Sequence, residues 1–197
     1  MLGMQAGAER LTTAMKSLLA AFLIGVEGTT EIWFVRHGDC YEGMIDDPDP
    51  ALSPTGRRQA ELLAARVHRL GHAAVYTSPA RRAVETASAI DPEPRVDERL
   101  MEVTFEVTND DQFVFTETPA DVVARVGAAV AEITAAHPGE RVIVVCHAGV
   151  ILNYVADVLQ LEPGGLRLLP YYTSVSVVRA LGDRRMAGSL GDTAHLE

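Results

Sequence analysis

Lysine is nearly missing from this chain: Lys16 is the only one, and every other member of its 17 Lys and Arg residues is arginine. The formal net charge is −10. That balance argues against nucleic acid or an acidic membrane as the main partner. An anion bound by such a chain must be held by a local cluster of arginines, whose planar fork of donors suits phosphate. Cysteine is also scarce. Cys40 and Cys146 alone make neither a metal framework nor a disulfide scaffold. Reduced thiols in a cytoplasmic protein are the expectation. Cys146 lies in a buried-strand pattern, and Cys40 follows a turn where it would be accessible. No apolar run is long enough to span a bilayer. Leu18 to Val26 comes nearest, with Arg10 and Lys16 before it, and weakly resembles the core of a signal peptide. It reads as an N-terminal helix packed on the domain, with export as the alternative. No Gly-x-x-x-x-Gly-Lys occurs, which disfavours a nucleotide P-loop. No paired His/Cys/Asp spacing of a metal site appears either, so neither metal nor cofactor is expected.

What is present describes a globular protein. The chain has 197 residues, 48% hydrophobic and 22% charged, enough for one domain with a sizeable core. Residues 1–28 read as a helical extension, from about Ala8 to Ile24, and residues 29–197 as the main domain. A strand over Glu31–Val35 leads to an Asp- and Pro-rich loop over residues 38–53. Ser53-Pro54 opens a helix that stops at Gly71. Ala73–Thr77 is a second strand, and Ser78-Pro79 repeats the helix start, with the helix running through Ile90. Val96–Met101 reads as a short strand, while residues 102–118 carry little pattern beyond an Asn109-Asp110-Asp111 turn. Pro119 opens a third long helix, and Val142–Cys146 is a strand followed by a helix from Ala148. A late strand over Tyr171–Arg179 pairs with Arg184–Ala187, and the tail from Gly188 is expected to fray. Strands alternating with helices predict an α/β three-layer sandwich, a mostly parallel central sheet with helices on both faces.

Two strands end alike. Ile32-Trp33-Phe34-Val35 leads to Arg36-His37-Gly38, and Val142–Cys146 leads to His147-Ala148-Gly149. Open α/β sheets place ligands at the carboxyl ends of their strands. The helix after His147 presents unpaired backbone N–H groups, which favour an anion. Neutral imidazole is a competent nucleophile toward phosphorus, and protonated imidazole stabilises charge. His68, His72, His137 and His195 lack this setting and receive no role.

Five blocks in order carry a family resemblance. They are Arg36-His37-Gly38, Leu52 to Ala60 opening a helix, the run Ser78-Pro79-Ala80-Arg81-Arg82-Ala83-Val84-Glu85-Thr86-Ala87, Leu100-Met101-Glu102, and Cys146 to Val150. Together they resemble the histidine phosphatase superfamily, the phosphoglycerate-mutase-like group, from about Glu31 to Val178. The resemblance implies a catalytic domain over residues 29–197. It implies His37 as a nucleophile that becomes phosphohistidine, Arg36 and Arg82 gripping the phosphoryl oxygens, and His147 as a further donor. It implies Glu102 as the acid for the leaving oxygen and then the base for water. Such a set needs no metal, since phosphoryl transfer rests on positioning and charge stabilisation. The family pattern selects Arg82 over Arg81, and the Leu-x-Glu spacing selects Glu102 over Glu98, Glu106 and Glu117.

The chain departs from the pattern in places. Asp39-Cys40 replaces the usual acid-hydroxyl pair, a Gly-x-Trp-Glu-Gly run is missing after Glu102, and Tyr172 stands where relatives often carry asparagine. The leading expectation is a metal-independent phosphatase acting on a small phosphorylated substrate. The alternatives are phosphoglycerate-mutase-type transfer, a protein-phosphohistidine phosphatase, and, in a different class, a catalytically silent phosphate-binding module. Nothing in the sequence sets the oligomeric state.

Overall fold

The computed structural model describes residues 2–40, 47–110 and 112–197. Helix α1 (Leu2–Ala21) precedes strand β1 (Thr30–Arg36). Helix α2 (Pro54–Leu70) follows, then β2 (Ala74–Thr77), α3 (Arg81–Ser88), β3 (Arg95–Val96) and a short 3-10 turn over Glu98–Leu100. Strands β4 (Phe105–Val107) and β5 (Phe113–Phe115) form a separate antiparallel hairpin. Helix α4 (Pro119–Ala136), β6 (Arg141–Cys146), α5 (Ala148–Val158), β7 (Val175–Leu181) and β8 (Arg184–Ala187) complete the order.

The main sheet runs β3-β2-β6-β1-β7-β8. The first four strands are mutually parallel; β7 and β8 are antiparallel additions. The alternation of side chains along a strand divides the core in two. Ile32 and Phe34 of β1 join Val142 and Val144 of β6 under α4 and α5, around Val126, Val130, Ile151 and Val155. Trp33, Val35, Ile143 and Val145 point the other way and pack on Leu63 and Val67 of α2 and Ala83 and Ala87 of α3. This is the expected three-layer α/β sandwich.

Several elements differ from the sequence reading. Ser53 caps α2 as expected, its Oγ accepting from Gly56 N at 2.9 Å. Ser78 caps nothing: α3 begins three residues later, at Arg81, with Ala80 at its N-cap. Helix α1 ends at Ala21 rather than Ile24, where Arg184 Nη2 donates to the Ala21 carbonyl at 2.9 Å. Of residues 96–101 only Val96 is strand, as the end of β3; Glu98–Leu100 form a 3-10 turn, which the Asp97 side chain caps by accepting from Arg99 N. The late strand starts at Val175 rather than Tyr171, since Thr173 takes a positive φ of 57° that breaks extended backbone. Nor does the tail fray. Val177 N donates to Ser189 O at 2.8 Å, Val175 N to Asp192 O at 2.9 Å, and Asp192 pairs with Arg66. Residues 41–46 of the expected Asp- and Pro-rich loop, and Asp111 of the expected turn, lie outside the described residues. Among the described residues, no helix is long and apolar enough to cross a membrane.

Candidate active site

Strands β1 and β6 are adjacent and parallel, with Arg36 opposite Cys146 in register. The residues after them, His37 and His147, therefore leave the sheet side by side. His37 N donates to Cys146 O at 3.0 Å, and the two rings lie edge to face, 5.2 Å between centroids. Both imidazoles are buried. His37 Nδ1 lies 2.8 Å from its neighbour's carbonyl, Gly38 O. A carbonyl only accepts, so Nδ1 carries the proton and Nε2 keeps its lone pair. Arg82, from the first turn of α3, donates through Nε to that Nε2 at 3.2 Å. Its Nη2 lies 3.3 Å from His147 Nδ1. His147 Nε2 is 2.8 Å from Ser78 Oγ. Ser78 Oγ directs its own hydrogen to Met101 Sδ at 3.3 Å, so it accepts from His147 Nε2 and leaves Nδ1 toward Arg82.

Arg36 closes another side. Its guanidinium carbon sits 3.9 Å from the centre of the Tyr172 ring, and Nη1 donates to Pro170 O at 2.9 Å. Among the described residues, its buried Nε–H has no hydrogen-bond partner. Tyr172 also lies 5.9 Å from His37, ring to ring. Glu102 approaches from beyond His147. Its carboxylate accepts from Val103 N at 2.9 Å and Gly149 N at 3.4 Å, at the first turn of α5. His37, Arg36, Arg82 and His147 are thus gathered in one space, and Glu102 adjoins it through Gly149, two residues past His147. Arg81 turns outward and pairs with Glu85 at 2.9 Å. Glu117 is paired with Arg125.

Supporting contacts explain the precision of this corner. Thr86 Oγ1 donates to Arg82 O at 2.7 Å and accepts from Gly38 N at 2.9 Å, tying the arginine's helical turn to the histidine turn. Asp39 N donates to Gln59 Oε1 at 2.9 Å, and Ser53 Oγ donates to Asp39 Oδ2 at 2.6 Å, which fixes α2 to the same turn. Ser78 and Thr86 were not legible as site residues, and Tyr172, which the sequence offered as a pocket-rim residue with packing preferred, lies against Arg36 and His37. Ser78 and Thr86 stood inside recognisable blocks, but the partners that tie them to the two histidine turns, His147 for Ser78 and Gly38 for Thr86, are remote in sequence. Cys40 is buried rather than accessible, and burial pushes its thiol up. Among the remaining histidines, His137 bonds Glu140 through Nδ1, and His195 contacts Thr173 Oγ1, whose backbone N–H donates to Arg36 O at 2.9 Å, so His195 stands behind the histidine turn.

Burial sets the electrostatics. It is the main force lowering His37 to about 3, with the Arg82 and Arg36 charges acting the same way. His147 is held well below the ordinary histidine range, first by burial and then by His37 and Arg82. Both rings are neutral near pH 7. Glu102 moves the other way, raised by burial. These shifts predict a stability profile. Below the ordinary value of 6.5 the unfolded chain takes up a proton at residue 37 that the folded chain refuses until about 3. The unfolded state binds more protons in that window, so stability falls as pH falls through it, by about 1.4 kcal/mol per pH unit at most. Urea unfolding at pH 7 and pH 4.5 is expected to show a drop about 2 kcal/mol smaller in His37→Gln than in the parent. Equal drops in the two proteins would remove this account of His37.

The family model described as histidine phosphatase superfamily (branch 1) matches residues 32–113 and 105–193. No curated protein matches significantly. Solved structures do. A phosphoserine phosphatase from Entamoeba histolytica, in complex with phosphoserine, aligns with a TM-score of 0.72 at 19% identity, covering 85% of this chain and 100% of that one. Bacillus stearothermophilus YhfR aligns with a TM-score of 0.71 at 26% identity, over 85% of this chain and 100% of that one. A mycobacterial glucosyl-3-phosphoglycerate phosphatase, complexed with VO3, aligns at 0.69 and 22% identity, over 83% and 99%.

Proposed function

The chain belongs to the histidine phosphatase superfamily, branch 1, and on that premise we propose that it hydrolyses a small phosphomonoester through a phosphohistidine on His37, without a metal ion. One observation carries the reading. The His37 proton is committed to Gly38 O, so Nε2 presents its lone pair to the space that Arg82 already enters. In the first step Nε2 attacks phosphorus, the ester P–O bond breaks, and Glu102 gives its proton to the departing alcohol oxygen. In the second, the Glu102 carboxylate takes a proton from water as its oxygen attacks phosphorus. The N–P bond then breaks and phosphate leaves. Arg82 and the Nε–H of Arg36, unpaired among the described residues, serve as the donors for the phosphoryl oxygens, while neutral His147, its Nε2–H given to Ser78, orients Arg82 through Nδ1 rather than acting as the further donor that the resemblance implied.

Two arginines supply the positive charge that a metal would otherwise provide. Among the described residues, no group of three His, Cys, Asp or Glu side chains converges as a metal site would. Residues 29–197 are the catalytic unit in this proposal, with α1 as an appended helix. The free, buried thiols of Cys40 and Cys146 suit a reducing, cytoplasmic setting. The raised affinity of Glu102 for its proton suits an acid near neutral pH. Glu102→Gln is expected to slow hydrolysis by roughly 10²–10³-fold for alkyl phosphates and far less for nitrophenyl phosphate, whose leaving oxygen needs no proton. Single-turnover rates across a leaving-group series measure this. Equal slowing across the series would remove Glu102 from the acid role.

A further inference from the structure

Resting on the phosphatase reading above, we infer that the alcohol released from the substrate is apolar and uncharged, and that it lies in a cleft beside Glu102. The cleft holds about 270 Å³. Its walls include Val103, Phe115, Pro119, Leu152, Asn153 and Leu166. It begins at the acid: Val103 and Gly149, which line it, are the residues whose N–H groups hold the Glu102 carboxylate. An ester oxygen that takes the Glu102 proton therefore carries its carbon skeleton toward this space.

Charge decides the class of skeleton. Glu117 is the charged residue in the lining, and its partner Arg125 is already committed. Arg125 bonds both Glu117 oxygens, at 2.5 and 2.9 Å, and the Arg99 carbonyl at 2.5 Å. Among the described residues, no lysine or arginine lines the cleft. A leaving group with a carboxylate or a second phosphate would be desolvated there without a cation, facing Glu117. Apolar skeletons gain from the same walls. The volume lies below the usual range of roughly 300–1,000 Å³ for small-molecule sites, which suits a single ring or a short alkyl chain. A second apolar groove of about 350 Å³ shares Pro119, Asn153 and Ala156 with the first and continues past Val123 and Leu161. It offers a longer chain an apolar exit.

Phosphonates, whose P–C bond is not hydrolysed, separate binding from turnover. Titration calorimetry of the full chain with methyl-, butyl- and hexylphosphonate is expected to show affinity rising at least tenfold from methyl to hexyl, against a ceiling of about fourfold per fully buried methylene. 2-Carboxyethylphosphonate is expected to bind more weakly than butylphosphonate. Leu152→Asn is expected to shrink the methyl-to-hexyl ratio severalfold, and Phe115→Ser, on the exposed hairpin, provides the same reading should the first variant fail to fold. Equal affinities along the series, or tighter binding of the carboxylate, would overturn the inference. A chain-length gradient in binding with no hydrolysis of hexyl phosphate would instead overturn the phosphatase reading and leave the cleft as an apolar site.

Discussion

Replacing His37 by alanine is expected to lower kcat/KM for an aryl phosphate by on the order of 10⁴-fold or more, as removal of a covalent nucleophile does. The ring is only 3% exposed and held at both nitrogens, with Gly38 O on one side and the Arg82 Nε–H on the other. Among the described residues the nearest ring that could substitute, His147, is engaged at Nε2 by Ser78 and stands 5.2 Å away. A reagent-quenched parent enzyme is expected to carry a phosphoryl label that is lost in acid, as phosphohistidine is. The alanine variant is expected to carry none, and excess chelator to leave the parent rate unchanged. Activity of the alanine variant within tenfold of the parent would end the proposed mechanism. Circular dichroism of the same samples separates chemistry from misfolding.

Gly56→Ala is expected to be the most destabilising single-methyl addition near the site, by roughly 3–5 kcal/mol. A Cβ at residue 56 would lie 1.9 Å from the Asp39 carbonyl oxygen. One at Gly38 would lie 2.7 Å from the Gly56 oxygen. The obstructing atoms are backbone on both sides, so no side chain can rotate away. Helix α2 would have to leave the histidine turn, breaking the Ser53–Asp39 and Asp39–Gln59 bonds with it. Against a domain stability of about 5–15 kcal/mol this is a large fraction. Urea midpoints check the value, with Gly127→Ala in α4 as the control. Its Cβ would meet nothing closer than 4.0 Å, and a gain of about 0.5–1 kcal/mol from helix propensity is expected there. A Gly56→Ala protein as stable as the parent would show that the turn and α2 are not in enforced contact.

The two Ser-Pro pairs mark the boundary of what sequence conveys. Ser53-Pro54 is a helix start because its decisive bond is local, Ser53 Oγ to Gly56 N. Ser78-Pro79 has the same local chemistry, yet Ser78 Oγ is taken by His147, 69 residues away in sequence. Competition between a local cap and a distant partner cannot be read from neighbours along the chain. The tail shows the same limit. Residues 188–192 lack strand pattern, and β7 recruits them through backbone bonds that any side chain permits. Residues 102–118 were unreadable because a three-residue hairpin carries too few alternations to register.

Sequence alone determined the alternation of strands and helices, since each has its own hydrophobic period and its own punctuation. It also singled out His37 and His147 as candidate groups, because a strand that ends in a histidine and then a glycine turn frees a side chain at a ligand-binding edge. Tertiary structure decided everything that depends on meeting. The parallel pairing of β1 with β6 set two histidines edge to face, burial kept both rings neutral, and Arg82 was turned inward while Arg81 was turned to solvent. The physical reason is range: helix and strand periods are local, whereas desolvation and hydrogen-bond geometry arise only when distant segments exclude water from one another.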